Sequence, residues 1–325
     1  MFTFEELRKK YPTFVYRSYT VSDDGGNLKV TYEFALGDDI VFRPSWVFPY
    51  QKEKIESGKS AKVLKRVLFL LGCVELVSYW KAACPQKVVI ECGKLTDEET
   101  LWFKKLFFNG LGEFFYRNGI STDEKTFMTI ESHGEAFEKT PLAGIFSGNL
   151  IPVGGGKDSV VTMELLRAHK AENKVFMINS LGSAVETARV AGYSAKDTVA
   201  PKRRLDLKIV ELNSQGFLNG HTPFSAIVAF SALFCAIAEQ KRYIVLSNES
   251  SANDVYVKGT TVNHQYSKSV EFENDFRVLV KDRICGEVEY FSLLRPLNEW
   301  NIIKLFVGYP QYLPVFKSCN LGSKK

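Results

Sequence analysis

No apolar run in this sequence is long enough to cross a bilayer. The longest, Val67 to Val74 and Phe224 to Ala238, fall short of the roughly 20 residues a spanning helix needs, so membrane insertion is not expected. Neither sign of charge dominates: 42 basic and 37 acidic residues leave a net charge of +5. A nucleic-acid partner would call for a concentrated basic face, and none is expected here. A basic pocket for a small polyanion stays compatible with that balance. The six cysteines, Cys73, Cys84, Cys92, Cys235, Cys285 and Cys319, include no Cys-x-x-Cys spacing and read as reduced thiols rather than a disulfide framework. Residues 1–10 open with acids and carry no apolar core, so they do not read as a signal peptide, and a cytoplasmic location is expected. Internal repeats and low-complexity stretches are lacking too.

What is present is a chain of 325 residues with 45% hydrophobic content, enough for two domains with real cores. Residues 1–145 read as an α+β domain. Phe14 to Tyr16, Leu28 to Phe34 and Ile40 to Phe42 are aromatic and β-branched, and Asp23-Asp24-Gly25-Gly26 supplies a hairpin turn. Val63 to Lys81 has a helical period and is apolar on nearly every side, which predicts a buried helix. Lys87 to Cys92 reads as a strand. Thr96 and Glu99 form a capping box for a helix that reaches Arg117 and stops at Asn118-Gly119.

Residues 146–325 alternate strand and helix, which predicts an α/β domain with a doubly wound, mostly parallel sheet. Lys174 to Asn179 reads as a strand and Ser183 to Ala191 as a helix closed by Gly192. Thr222-Pro223, with the threonine as capping hydroxyl, opens a long helix to about Gln240. Tyr243 to Ser247 is apolar without alternation, as in a strand buried on both faces.

Within this half, Val153-Gly154-Gly155-Gly156-Lys157-Asp158-Ser159 follows the apolar run Leu150 to Val153 and precedes a helical pattern placing Val160, Val161, Met163, Leu165 and Leu166 on one face. Strand, glycine turn and helix aim backbone N–H groups and the positive end of a helix dipole at an anion. The P-loop pattern fails, since Asp158 follows Gly156-Lys157 and Ile151 stands where the first glycine belongs. The Gly-x-Gly-x-x-Gly pattern fails as well. Gly155 to Ser159 resembles the Ser-Gly-Gly-x-Asp-Ser loop of PP-loop ATP pyrophosphatases, with Gly154 replacing the usual serine. The plain alternative is a glycine-rich turn that binds nothing.

Polar loops bunch where the carboxyl ends of parallel strands are expected: Asn213 to His221, Ser247 to Asp254, and Val262 to Ser269. Any one alone reads as turn chemistry; three beside a phosphate turn read as a site. Leu218-Asn-Gly-His-Thr-Pro-Phe224, Ser247-Asn-Glu-Ser-Ser-Ala-Asn253, Val262-Asn-His-Gln-Tyr-Ser-Lys268 and Leu294-Arg-Pro-Leu-Asn298 together resemble one PP-loop branch, the UDP-N-acetyl-α-D-muramoyl-L-alanyl-L-glutamate epimerase (MurL) family. Leu71 to Pro85 and Asn109 to Phe115 extend the resemblance into the first half. It implies a PP-loop ATP-binding domain and an ATP- and Mg²⁺-dependent inversion of the terminal L-Glu of a UDP-linked muramoyl peptide, UDP-MurNAc-L-Ala-L-Glu. It also implies that Lys317-Ser-Cys-Asn320 begins a segment running on to a Trp-Cys-Gly-x-Cys-Pro-x-Cys stretch, which the 325 residues do not contain. Cys319 is therefore expected to have no metal role.

The chemistry gives ATP a reason. A glutamate α-proton is hard to remove while the neighbouring carboxylate is negative, and adenylation removes that charge. The turn Gly154, Gly155, Gly156, Lys157, Asp158 and Ser159, with Asn248, is expected to bind ATP, Lys157 being equally readable as solvated. Asp158 and Glu249 are the candidate Mg²⁺ ligands, oxygen donors for a hard cation. His264 is the first candidate for proton transfer, its ordinary pKa lying near ~6.5, followed by His221, Glu249, Asp254 and Lys268. Asn219, Asn253, Asn263, Arg295 and Arg204 are substrate-binding candidates; Arg295 reads equally as a structural ion pair, and Lys202-Arg203-Arg204 reads as a contact for the UDP diphosphate or, more readily, as a solvated face. His133 and His169 read as surface residues. Two other readings stay open: a different PP-loop ligase or thiolase, and a nucleotide-binding module without catalysis.

Overall fold

The computed structural model describes residues 2–142, 144–180, 182–253 and 266–317. The first of two sheets starts from the predicted hairpin: β1 (Thr13–Asp23) and β2 (Leu28–Leu36) pair antiparallel. Gly25 and Gly26 hold φ at +61° and +83°, the left-handed conformation a tight hairpin turn requires. β3 (Ile40–Phe42) and β4 (Ser45–Phe48) run antiparallel along one side of β2. β5 (Lys87–Ile90) and β6 (Thr129–Ser132) continue the sheet in parallel beyond β1.

The helix Ala61–Trp80 packs on this sheet and is buried almost all round. Gly72 marks the closest approach, since a Cβ there would lie 2.1 Å from the Tyr16 hydroxyl and 2.7 Å from the Tyr32 ring. The predicted capping box forms, with the Glu99 amide donating to Thr96 Oγ1 at 3.2 Å and the Thr96 amide to Glu99 Oε2 at 2.9 Å. The helix it starts runs Asp97–Gly110, continues as Gly112–Arg117, and ends at Gly119 with φ +64°.

Past the first sheet come β7 (Asn149–Pro152), β8 (Asn173–Phe176), β9 (Thr198–Val199), β10 (Lys202–Arg204), β11 (Tyr243–Leu246) and β12 (Glu289–Ser292). All but β10 form a parallel sheet in the order β12-β11-β7-β8-β9. Successive strand residues face opposite sides. Ile151 and Val175 meet Val160, Val161, Met163, Ala184 and Ala188 from the helices Lys157–Leu165 and Gly182–Val190. Leu150, Phe176 and Ile244 meet the helices Phe224–Ala238 and Val270–Leu279 on the other side. Helices therefore cover both faces of a parallel sheet, as expected for the doubly wound pattern.

The chain passes from the first sheet to the second near residue 145, but the two are stitched together. Strand β10 returns to the first sheet, antiparallel to β4, and the helix Phe224–Ala238 packs on Ala61–Trp80. The solvated reading of Lys202-Arg203-Arg204 is corrected at Arg203. Its guanidinium grips Glu75, which is fully buried, at 2.5 and 2.7 Å, and Glu75 also accepts from Trp46 Nε1 at 2.8 Å. Arg203→Met would strand that carboxylate, and a loss of about 3–5 kcal/mol is expected by denaturant titration. Glu75→Gln with Arg203→Met should recover part of it.

Two local expectations also change. Thr222 does not cap its helix; its Oγ1 accepts from Lys81 Nζ at 2.9 Å. Leu165 is 45% exposed. At 100° per residue the buried arc through Met163, Val160 and Val161 takes in Glu164, whose carboxylate pairs with Arg167 and accepts from the Tyr312 hydroxyl.

Candidate active site

Because the strands of the second sheet are parallel, their carboxyl ends share one edge. The chain leaves β7 toward β8 and β9 and returns as β11 and β12 on the other side. Such a reversal opens a crevice between the two central strands, here β7 and β11. Four loops meet that edge: Gly154–Gly156 after β7, Met177–Ser180 after β8, Ser247–Glu249 after β11, and Leu293–Arg295 after β12.

The glycine turn is built for close approach. Gly155 has φ +84°, and a Cβ on it would lie 2.6 Å from the Ala184 amide nitrogen and the Ser183 carbonyl carbon. The turn thus rests on the first turn of Gly182–Val190, and a second helix, Lys157–Leu165, starts from Gly156. No side chain caps that second helix; the Ser159 hydroxyl instead donates to the Gly156 carbonyl at 2.9 Å. Gly154 is exposed, with nothing among the described residues within 4 Å of where its Cβ would be. The Lys317 amide donates to the Gly155 carbonyl at 2.9 Å, laying the chain over the turn's outer side.

Two residues at this edge are not among the sequence's site candidates, and the strand expected to reach Asn179 ends at Phe176. Asn179 and Ser180, after β8, hold φ at +61° and +43°, a conformation that costs non-glycine residues of order 1–3 kcal/mol each. The Asn179 amide donates to the Pro201 carbonyl at 3.0 Å, and its Oδ1 accepts from the Arg203 amide at 2.7 Å. Asparagine followed by serine just past a strand is the only sequence signal, and turn chemistry is common there.

Charge is concentrated beside the turn. Lys157, with its side chain only 15% exposed, reaches Asp158 at 2.9 Å and Glu299 at 3.4 Å, so its solvated reading does not hold. Burial lowers its pKa, but the Asp158 hydrogen bond, aided by Glu299 and Glu249, raises it above the ordinary lysine value. Burial pulls the Lys268 ammonium below that value, with Asp158 and Glu249 opposing the shift. Lys157, Asp158, Glu249 and Lys268 therefore share one electrostatic neighbourhood. Glu249 Oε1 accepts from Ser251 Oγ at 2.9 Å, whereas the buried Oε2 has no hydrogen-bond partner among the described residues.

Arg295 organises this cluster rather than pointing a free guanidinium into it. It donates to the carbonyls of Glu249 at 3.0 Å and Lys268 at 2.8 Å, and pairs with Glu273 Oε2 at 2.7 Å. Glu273 in turn accepts from the Ser292 amide at 3.2 Å, and Ser292 Oγ donates to the Asn248 carbonyl at 2.6 Å. The structural ion pair is the reading that holds, and it fixes Asn248, Glu249 and Lys268 together. Arg295→Lys keeps the charge but loses the fork; kcat is expected to fall about 10-fold or more through displaced loops, with a smaller loss in Arg295→Lys than in Arg295→Ala.

Of the remaining described candidates, His221, Asn219 and Arg204 lie elsewhere. His221 sits 3.9 Å from Glu113, and the Asn219 carbonyl accepts from Asn118 at 3.1 Å, so both lie against the first domain. Arg204 is exposed on β10. Asn253 ends the short helical turn Ser250–Asn253. Asp254, Asn263 and His264 lie outside the described residues, as does Cys319. Among the described residues no three His, Cys, Asp or Glu side chains group as a metal site, and no helix is long and apolar enough to cross a membrane.

Comparison with known proteins bears out the resemblance read from the loops. Residues 5–293 match the MurL N-terminal domain family. Three relatives carry the name UDP-N-acetyl-alpha-D-muramoyl-L-alanyl-L-glutamate epimerase. The one from Xanthomonas oryzae pv. oryzae is 34% identical over 81% of this chain and 58% of its own length. Those from Micromonospora sp. and Salinispora tropica are 32% and 31% identical, each over 98% of this chain and over 71% and 69% of their own lengths. The chain thus spans less than two thirds of the Xanthomonas relative. No solved structure matches. The chain belongs to the UDP-N-acetyl-α-D-muramoyl-L-alanyl-L-glutamate epimerase (MurL) family.

Proposed function

We propose that the protein is a cytoplasmic PP-loop enzyme that inverts the terminal L-Glu of UDP-MurNAc-L-Ala-L-Glu to D-Glu at the expense of ATP, in the supply of peptidoglycan precursor. The observation that carries the reading is the meeting, at one sheet edge, of a phosphate-type turn with Glu249 and Lys268. The residues present fit ATP with Mg²⁺. Gly155 leaves no room for a side chain and two helices begin at the turn, an anion-binding arrangement. Glu249 Oε2 is buried without a partner, and Mg²⁺ commonly takes one or two carboxylates plus substrate phosphates.

On this reading the backbone of Gly154–Gly156 holds the phosphates, the Ser159 hydroxyl turning to them from the Gly156 carbonyl, with Lys157 and Asn248 beside them. Asp158 and Glu249 supply oxygens to the metal. Bound ATP supplies activation of the substrate carboxylate, which removes its negative charge and acidifies the neighbouring Cα–H. Lys268, its ammonium pulled below the ordinary lysine value by burial, is the described candidate for carrying a proton. His264 is the partner candidate for the opposite face of Cα, since inversion takes a proton from one side and returns it on the other. His221, Asp254, Asn219, Asn253, Asn263 and Arg204 remain candidates for proton transfer or substrate contact.

The test is the chirality of glutamate recovered from UDP-MurNAc-L-Ala-L-Glu after incubation with and without ATP and Mg²⁺. D-Glu only in the complete mixture is expected; none in either would end the proposal. Asp158→Ala should abolish ATP-dependent turnover while the protein stays folded, and full activity would remove Asp158 from the site.

A further inference from the structure

A second cavity lies where the two sheets are stitched together, and nothing in the turn-centred site uses it. It measures about 210 Å³ and is lined by Lys81, Asn213 and Asn219 among polar residues and by Ile209, Ile227 and Phe224 among apolar ones. That is below the roughly 300–1,000 Å³ that encloses a drug-sized ligand, so it admits a single ring rather than a whole sugar-nucleotide. Its polar groups are in an unusual state. Lys81 is buried, and its ammonium donates only to neutral oxygens, the Gly220 carbonyl and Thr222 Oγ1. Among the described residues it has no carboxylate within ion-pair distance. The Asn213 Oδ1 is buried with no hydrogen-bond partner among the described residues.

Two further features favour an anion at the cavity's mouth. The helix Phe224–Ala238 begins at this lining with no side-chain cap among the described residues; the Phe224 and Ala226 amides already donate to the Thr222 and Pro223 carbonyls, so it is the helix dipole that presents positive potential. The Arg203 guanidinium lies 5.8 Å from the Phe224 ring centroid. Phe224 is itself 45% exposed, an aromatic face at the rim.

A run of bonded neighbours leads from the cavity lining to the turn. Gly155 touches Ser183 and Ala184; the loop before that helix holds Asn179; and Asn179 Oδ1 accepts from the Arg203 amide at 2.7 Å. Arg203 lines the cavity. A substrate whose glutamate and nucleotide stand at opposite ends needs two grips, and remote binding energy can be spent on the reacting centre.

We infer that this cavity seats the uracil ring of the substrate's uridine diphosphate end, between Phe224 and the isoleucines, with the diphosphate left at the rim and drawn there by the Lys81 charge and the Phe224 helix start. The inference rests on the proposed function for the identity of the nucleotide. An amide such as Asn213 offers the donor and acceptor that the imide edge of uracil requires.

Binding of UDP alone, measured by calorimetry without ATP, tests it. Lys81→Met should weaken UDP at least tenfold and leave ATP binding unchanged, and Phe224→Ala should weaken UDP several-fold in the same selective way. The wild-type pH profile serves if Lys81→Met does not fold. Burial lowers the Lys81 pKa to about 8, so its charge is fully present below that pH and lost above it. The groups facing it are Arg203 with its Glu75 counter-ion, and the thiol and phenol of Cys84 and Tyr79, both pushed up by burial. The Cys84 and Tyr79 shifts carry those groups away from the Lys81 range, and phosphate has its second ionisation near ~6. Kept below the ionisation of the uracil imide, UDP affinity should therefore fall about fourfold between pH 7 and 8.5. Unchanged UDP affinity in a folded Lys81→Met protein, or a flat wild-type profile, would overturn the inference. Epimerisation with an unaltered KM in Lys81→Met would do so while leaving the proposed function standing. Lys81-dependent UDP binding without epimerisation would sustain the inference and remove the function.

Discussion

Substituting alanine for Gly155 is expected to eliminate ATP binding. The substitution forces a left-handed φ of +84° on a residue with a Cβ and drives that carbon to 2.6 Å from the Ser183–Ala184 backbone. The conformational cost alone is of order 1–3 kcal/mol, and the clash falls on backbone atoms that cannot rotate away. The turn and the start of Gly182–Val190 must separate, which removes the geometry that would hold phosphate. Nucleotide binding should drop by at least 100-fold in calorimetry, with a lower melting temperature. The neighbouring glycine provides the control. Gly154 faces open space, so Gly154→Ser, which restores the serine usual in PP-loop turns, should keep ATP affinity within a few-fold or improve it. Equal damage from both substitutions would show that the turn's shape is not what matters.

The second large effect is expected at Glu249. Glu249→Gln keeps the side chain's shape and its Ser251 partner but removes the charge set between Lys157 and Lys268. A loss of about 10²–10⁴ in turnover is expected, the range associated with a positioned proton-transfer group. Two readouts separate its roles. A metal ligand should leave a deficit that rises in Mg²⁺ requirement and affects AMP release. A proton carrier should leave AMP release largely intact and stop exchange at Cα. Wild-type turnover in Glu249→Gln would remove the residue from the site.

How much of this was legible follows from the range of each interaction. The capping box at Thr96–Glu99, the Asp23–Gly26 hairpin and the turn at Gly155 are local, and residues a few positions apart specify them. Parallel strands without alternation were legible for the same reason, since β11 is buried from both sides. What stayed hidden depends on partners far away in the chain. Arg203 and Glu75 are 128 positions apart, and nothing around Lys202-Arg203-Arg204 signals that its middle residue turns inward. Arg295 was readable as either a ligand contact or an ion pair, and only the fold brings Glu273 and the Glu249 and Lys268 carbonyls to it. The misplacement of Thr222 has the same origin. Its sequence context offers a helix cap, but Lys81, 141 positions away, claims the hydroxyl.

The glycine turn and the strand-end loops were more legible than their surroundings, because they carry composition signals whereas a bridge between two sheets does not. Lys81 shows the limit: it lies at the end of a buried helix, where sequence predicts only packing.

The central claim is that one edge of the parallel sheet both activates a carboxylate and moves the adjacent proton. The protein incubated with UDP-MurNAc-L-Ala-L-Glu, ATP and Mg²⁺ in D₂O reports both at once. One deuterium at the glutamate Cα of each D-Glu product, formed with AMP and only when ATP is present, is the predicted result. AMP released with no deuterium at Cα and no D-Glu would contradict the account.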